Sequence, residues 1–273
     1  PVFYAPCVAG YVGGDVTAGL LASGLYRKPG QHLFLDLGTN GEMALGGAEG
    51  FSCCAVASGP AFEGAGIACG MPALDGAVCR VRYDRGFLYD VIGGSEPRGI
   101  CGSGLVDLTA ALLDLDAIDR SGRLLPPEET PPSLRRFVRP DGRGNGVFHL
   151  TDRVYLTAED VRSLQLAKAA VAGGIEVLLR QRDLDAAALD GVYIAGGFGS
   201  CIDPDSAMAI GMLPQLPRSK LRCLGNTALA GASMAALDGE ERRRLGRIAA
   251  SCRYIELSGR QDFARAFTDH MVF

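Results

Sequence analysis

Polar and apolar positions alternate in short blocks along this chain, most clearly in Leu33-Phe34-Leu35-Asp36-Leu37-Gly38-Thr39-Asn40-Gly41-Glu42-Met43-Ala44-Leu45. An apolar run ends on Asp36, a turn of small residues follows, and a second apolar run leads away. Asn40-Gly41 tolerates positive φ and signals a hairpin. The pattern predicts strands at 32–37, 42–46 and 51–57, with loops short enough to make them antiparallel neighbours. Upstream, residues 1–12 are apolar and run into Gly13-Gly14-Asp15. Residues 15–26 then have helical spacing, with Asp15 or Thr17 near the start. Pro60 suits a first helical position, and 76–82 with 87–92 read as a hairpin around Asp84-Arg85-Gly86.

Gly99-Ile100-Cys101-Gly102-Ser103-Gly104 leads into a helix at about 103–118. Residues 119–150, rich in Pro, Arg and Gly, read as an excursion over the surface. Thr157-Ala158-Glu159-Asp160 caps a helix that continues to about Arg182. Gly173-Gly174 inside it costs roughly 1 kcal/mol per glycine, which close packing would offset. A short buried strand at 191–195 precedes Gly196-Gly197-Phe198-Gly199, and a helix is expected to begin near Asp203-Pro204. A strand at 222–224, a helix opened by Gly225-Asn226-Thr227, a basic helix at 239–250, a strand at 254–257 and a helix at 260–268 complete the chain. Three antiparallel strands followed by alternating helices and strands predict an α/β fold with a mixed sheet and helices on both faces.

The composition narrows the function. A net charge of −4 argues against a nucleic-acid surface. The absence of an apolar run of about 18 residues argues against a membrane span. Nine cysteines without C-x-x-C or iron–sulfur spacing read as small buried hydrophobes, and a reducing, cytoplasmic compartment is expected. The histidines His32, His149 and His270 are scattered. A chain that starts at Pro1 within ordered sequence is expected to be a fragment or processed form of something longer.

The chemistry concentrates at three glycine-rich loops, 38–41, 196–199 and 225–226, each beside a strand end or a helix start. In an open α/β sheet such ends converge on one crevice, and helix N-termini there favour anions. The Asp36 hairpin can hold phosphate against its backbone while the acid holds a metal or orients a water; the alternative is a turn-capping Asp. There is no G-x-x-x-x-G-K-[ST] phosphate loop and no dinucleotide fingerprint.

Asp36-Leu37-Gly38-Thr39-Asn40-Gly41-Glu42 resembles the second phosphate motif of the acetate kinase, sugar kinase, Hsp70 and actin superfamily, and Ala195-Gly196-Gly197-Phe198-Gly199 resembles its adenosine motif. Within that superfamily the chain is most similar to the ATP-dependent reductive activators of corrinoid proteins. The likeness runs through Gly13-Gly14-Asp15-Val16-Thr17-Ala18-Gly19, the Asp36 hairpin, Ala57-Ser58-Gly59-Pro60-Ala61-Phe62-Glu63-Gly64-Ala65 and 99–104. It continues through Ile202-Asp203-Pro204, Gly211-Met212-Leu213-Pro214 and Gly225-Asn226-Thr227-Ala228-Leu229-Ala230-Gly231-Ala232.

The resemblance implies a ribonuclease-H-like ATPase lobe, β-β-β-α-β-α-β-α with insertions. Residues 1–30 would end a preceding lobe or form a connecting helix, and 31–273 would form the nucleotide-binding lobe, with a surface insertion at about 119–150. It makes Asp36 the catalytic acid, holding Mg through water. Gly38, Thr39, Asn40 and Gly41 become phosphate-binding, and Gly196, Gly197, Phe198, Gly199, Gly225 and Asn226 adenosine-binding. It implies ATP and Mg as cofactors, and a 2Fe-2S cluster only in an N-terminal domain outside this chain. The implied partner is a corrinoid protein or corrinoid-dependent methyltransferase, with a homodimer suggested. The upstream D-x-G-T-T hairpin of the superfamily is missing, so half a site and no ATPase activity of the chain alone are expected. Two other readings stand beside this one: a small-molecule kinase of the same fold, with Glu63 or Asp107 as base, and a nonenzymatic interaction module with a degenerate nucleotide site.

Overall fold

The computed structural model describes residues 3–199 and 202–273. Along the chain, helix α1 (Gly14–Ser23) leads into strands β1 (His32–Leu37), β2 (Gly41–Gly47) and β3 (Gly50–Val56). Then come β4 (Ala77–Tyr83), β5 (Phe87–Val91), β6 (Gly99–Ile100), α2 (Gly102–Asp114), β7 (Val138–Pro140), β8 (Gly146–His149), β9 (Tyr155–Leu156) and α3 (Ala158–Arg180). The last third holds β10 (Gly191–Ala195), α4 (Gly196–Gly199), α5 (Pro204–Ala209), β11 (Leu221–Gly225), α6 (Thr227–Leu237), α7 (Gly239–Ala250), β12 (Cys252–Tyr254) and α8 (Gln261–Asp269). No helix among the described residues is long and apolar enough to cross a membrane.

These elements gather into two compact units, and neither is continuous in sequence. The first takes Pro1–Ala57, Val171–Cys201 and Pro214–Phe267; the second takes Ser58–Ala170, Ile202–Leu213 and Thr268–Phe273.

The first unit is built on a six-stranded mixed sheet in the order β11-β10-β1-β2-β3-β12. The three-strand hairpin runs antiparallel, whereas β10 and β12 join its edges in parallel. Alternation sorts the side chains by face. Phe34, Ala44, Cys53 and Tyr193 point to one face, where Val16, Leu20 and Leu21 of α1, Ala235 of α6, and Leu245 and Ile248 of α7 cover them. Each such leucine or phenylalanine contributes about 1.5–3 kcal/mol by leaving water. On the other face α3 comes so close that a Cβ on Gly174 would lie 2.9 Å from Val56 and 3.1 Å from Met43. Gly173 lies against Phe263 and Phe267 of α8. The glycine pair is therefore where α3 accepts its neighbours, as its helix cost required.

The second unit carries the sheets β5-β4-β6 and β7-β8-β9. Here 119–150 differs from a bare surface excursion. Leu124, Leu134 and Phe148 are buried, and Phe148 packs edge-on against Phe87 and stacks on Phe137. Isolated apolar residues between prolines and arginines have no period, which hides such a cluster from pattern reading. Two further differences are local. Neither Asn40 nor Gly41 has positive φ: the turn is 38–40, closed by Gly38 N–H donating to the Asn40 carbonyl at 3.0 Å, and Gly41 already pairs with Leu37 and Val56. The last strand is Cys252–Tyr254, two residues earlier than expected, because the chain leaves the ladder after Ile255 N–H meets the Cys53 carbonyl.

Candidate functional site

Strand β1 delivers Asp36 to the end of the central strand of the first unit. In the ladder Asp36 pairs with Ala195 on one side and Glu42 on the other, and Glu42 pairs in turn with Ala55. Directly paired residues project from the same face, so Asp36 and Glu42 stand together on the face that α1 covers. The first turn of α1 brings Asp15 to the same place, with Val16 N–H donating to its carboxylate at 2.7 Å. Three acids thus converge from three elements.

Their electrostatics follow from that crowding. Burial, reinforced by Asp15, pushes the Asp36 carboxyl up to about 6. Burial, then Asp15, then Asp36 push Glu42 up to about 7. Beside them opens a cavity of about 560 Å³ lined by Tyr11, Asp15, Asn40, Glu42, Tyr254 and Glu256 among others, with no lysine or arginine among its lining residues. Crowded, partly desolvated carboxylates without a basic partner hold their protons more tightly, and a cation beside them would relieve the crowding. Oxygen donors of this kind suit a hard divalent ion. Among the described residues no three His, Cys, Asp or Glu side chains could hold a metal ion by themselves. Asp15, Asp36 and Glu42 offer oxygen donors of the kind magnesium takes.

The glycine loop lies on the other flank of Asp36. Gly196 has φ +91°, and a Cβ there would stand 2.6 Å from both Asp36 Oδ1 and the Leu37 carbonyl oxygen. Only glycine lets the start of α4 approach β1 this closely. A Cβ on Gly197 or on Gly225 would meet nothing within 4 Å, so the backbone is open there to a flat ligand. Phe198 is buried, and Gly199 closes α4. The Asn226 side chain is already engaged within the fold, where it accepts from Leu229 N–H at 2.9 Å and caps α6. Thr39 and Asn40 are exposed at the tip of the 38–40 turn and Gly38 is half-buried beneath them.

The structure therefore brings Asp36, the 38–41 hairpin and the 196–199 loop together in one unit. It adds Asp15 and Glu42, which sequence reasoning did not place in the site. Glu42 was within reach: residues 35 and 43, 36 and 42, and 37 and 41 are symmetric about the turn. Asp15 was not, since only the packing of α1 on the sheet brings it there. In the second unit, Asp107 is sealed in, with 4 % relative exposure, and its carboxylate accepts from Val81 N–H, so it cannot meet a substrate as a kinase base.

Residues 30–273 match the family model of the C-terminal domain of RACo, the ASKHA domain. The chain is 35% identical to the corrinoid activation enzyme RamQ of Eubacterium limosum, over 100% of this chain and 47% of that protein. It is 27% identical to the Co(II) methylated amine-specific corrinoid protein reductase of Methanosarcina barkeri, over 82% of this chain and 42% of that one. Its fold matches the solved structure of a reductive activator for corrinoid, iron-sulfur protein with a TM-score of 0.90 and 38% identity, over 100% of this chain and 44% of that chain. The chain spans less than half the length of each of these relatives.

Proposed function

This chain belongs to the family of the C-terminal ASKHA domain of reductive activators of corrinoid proteins, and from that premise we propose that it supplies one wall of an ATP site in such an activator. The observation that carries this reading is the meeting of Asp15, Asp36 and Glu42 beside the Gly196 loop. Asp36 would hold magnesium through water or orient the attacking water. The 38–41 hairpin offers backbone N–H groups to phosphate, and 196–199 with Gly225 forms the adenosine floor. Magnesium, when bound, neutralises the phosphate oxygens and the crowded acids together.

In the whole protein, ATP and water would give ADP and phosphate, while an iron–sulfur domain would supply the one electron that takes Co(II) in a corrinoid protein to Co(I). Hydrolysis can drive that step only through different affinities for the partner in the two nucleotide states. The partner is a corrinoid protein, alone or within a methyltransferase system, met in the cytoplasm by an activator that works as a dimer. The test is ATP turnover of the full-length protein with Asp36→Asn. A fall of at least tenfold, with the fold intact, is expected; unchanged turnover removes Asp36 from the mechanism.

A further inference from the structure

The cavity beside the acids has a wall that the ATP reading leaves unused. Its floor crosses three neighbouring strands of the first unit, from Glu42 on β2 through Ala55 on β3 to Tyr254 on β12. That is two strand spacings, about 10 Å. The register puts these side chains on one face. Glu42 pairs with Ala55, and Tyr254 pairs with Cys53, two residues before Ala55. Beyond Tyr254 the chain is pinned by Ile255 N–H, which donates to the Cys53 carbonyl at 2.7 Å, and by the buried Leu257. Glu256, between them, is exposed yet fixed. Ser258 N–H donates to its Oε1 at 2.9 Å, and the Tyr254 hydroxyl donates to its Oε2 at 3.1 Å. Those two donors hold its carboxyl below the usual carboxylate range. A carboxylate has roughly four acceptor sites, so each oxygen can still take a further donor. Tyr11, itself exposed, and the half-buried Phe263 of α8 bring two more rings to the lining.

The lining chooses among ligands. It carries Asp15, Glu42 and Glu256 and no lysine or arginine, which disfavours phosphates and carboxylates. It also carries three rings and the aliphatic surface of Ala55 and Val56, for which an inorganic ion has no use. Its volume of about 560 Å³ is many times a water's share of about 30 Å³ and is of the size that small organic ligands fill. An ammonium or guanidinium head answers each feature. It donates charge-assisted hydrogen bonds to a carboxylate, it is attracted to aromatic faces, and its stem covers apolar surface. We infer that this cavity is a binding site for an organic cation, an amine or guanidine on an aliphatic stem, whose head is received by Glu256 and the rings of Tyr11 and Tyr254. The inference does not rest on the ATP reading, since Asp36 is not among the lining residues and Glu256, Tyr11 and Tyr254 have no part in that reading. A free amine and a basic side chain of a bound protein carry the same head, and the experiment separates them.

The test is calorimetry on the full-length protein without nucleotide or divalent ions. Agmatine, a guanidinium and an ammonium joined by an aliphatic chain, is titrated beside pentane-1,5-diol, an uncharged chain of similar length. A capped Gly-Arg-Gly peptide presents the same guanidinium on a polypeptide. Agmatine is expected to bind and the diol is not. Glu256→Gln should weaken agmatine about tenfold, and Tyr11→Leu about fivefold. Both positions are exposed, so neither change threatens the fold. Glu49→Gln, at an exposed acid in the turn between β2 and β3, should keep wild-type affinity and so exclude a general attraction to negative charge. Tighter binding of the peptide than of agmatine assigns the cavity to a basic side chain of a bound protein; the reverse order assigns it to a free amine. Binding of neither probe, or binding that Glu256→Gln leaves unmoved or that Glu49→Gln weakens equally, overturns the inference. None of these outcomes bears on the Asp36→Asn turnover, which decides the ATP reading separately.

Discussion

Asp36 and Glu42 hold protons more tightly in the folded chain than in the unfolded one, because burial and neighbouring acids oppose their charge. A raised acid makes the folded state the better proton binder, so stability from these groups is greatest at low pH and is lost as pH rises through about 6 and 7. Without divalent ions, Asp36→Asn is therefore expected to melt a few degrees above wild type at pH 8, with the gap closing by pH 5. Melting curves across that range check the sign, and a variant no more stable than wild type at pH 8 would falsify the electrostatic account. Magnesium with nucleotide should shrink the gap by stabilising wild type. The two glycines of the loop separate in the same way. Gly196→Ala forces a Cβ to 2.6 Å from Asp36 Oδ1 at φ +91°, and should cost about 1–3 kcal/mol in chemical denaturation. Gly197 meets nothing within 4 Å. Gly197→Val should thus leave the melting temperature of the nucleotide-free protein nearly unchanged and weaken ATP binding at least tenfold; equal affinity would make the loop only a turn.

At the scale of elements, the packing of α1 against α6 sets where Asp15 stands. A Cβ on Gly231 of α6 would collide with the Ala18 carbonyl oxygen of α1, and one on Gly19 with the Phe34 ring. Gly231→Ala must push the two helices apart, at a cost of about 1–3 kcal/mol, and should lower magnesium-dependent ATP binding through Asp15. Denaturation and titration of the same variant test both effects. The elements themselves were largely legible. Apolar runs broken at Asp36 and Ala195 mark β1 and β10, Asp203-Pro204 marks the cap of α5, and Thr157 with Asp160 caps α3 through reciprocal bonds of 3.2 and 2.9 Å. These signals are local, and local chemistry decides them. What escaped was decided at a distance. The aromatic cluster around Phe148 draws its members from separate segments, and Asp15 reads in isolation as an ordinary first-turn acid. Asn40-Gly41 marked the hairpin that forms, but its glycine serves close approach, with a Cβ 3.0 Å from Val56, and not a left-handed turn.

For the molecule as a whole, hydrolysis needs donors on both sides of the γ-phosphate, and in the proposed site this chain would offer the Asp36 side without a second D-x-G-T hairpin. The isolated chain is expected to bind ATP weakly or not at all and to show negligible turnover, whereas the full-length protein should do both. A micromolar site with steady turnover, seen by calorimetry on the chain alone, would show the site to be complete here. The interleaving of the two units carries a consequence for synthesis. The first unit closes its sheet with β10, β11 and β12, so the hairpin finished at Ala57 waits for segments that extend to Phe267. At ordinary translation rates of about 5–20 residues per second, that wait lasts roughly 10–40 s. β1 presents a bare edge to the crowded cell until β10 is made, and β3 does so until β12 follows, so a chaperone that shields strand edges is the natural custodian of the nascent chain.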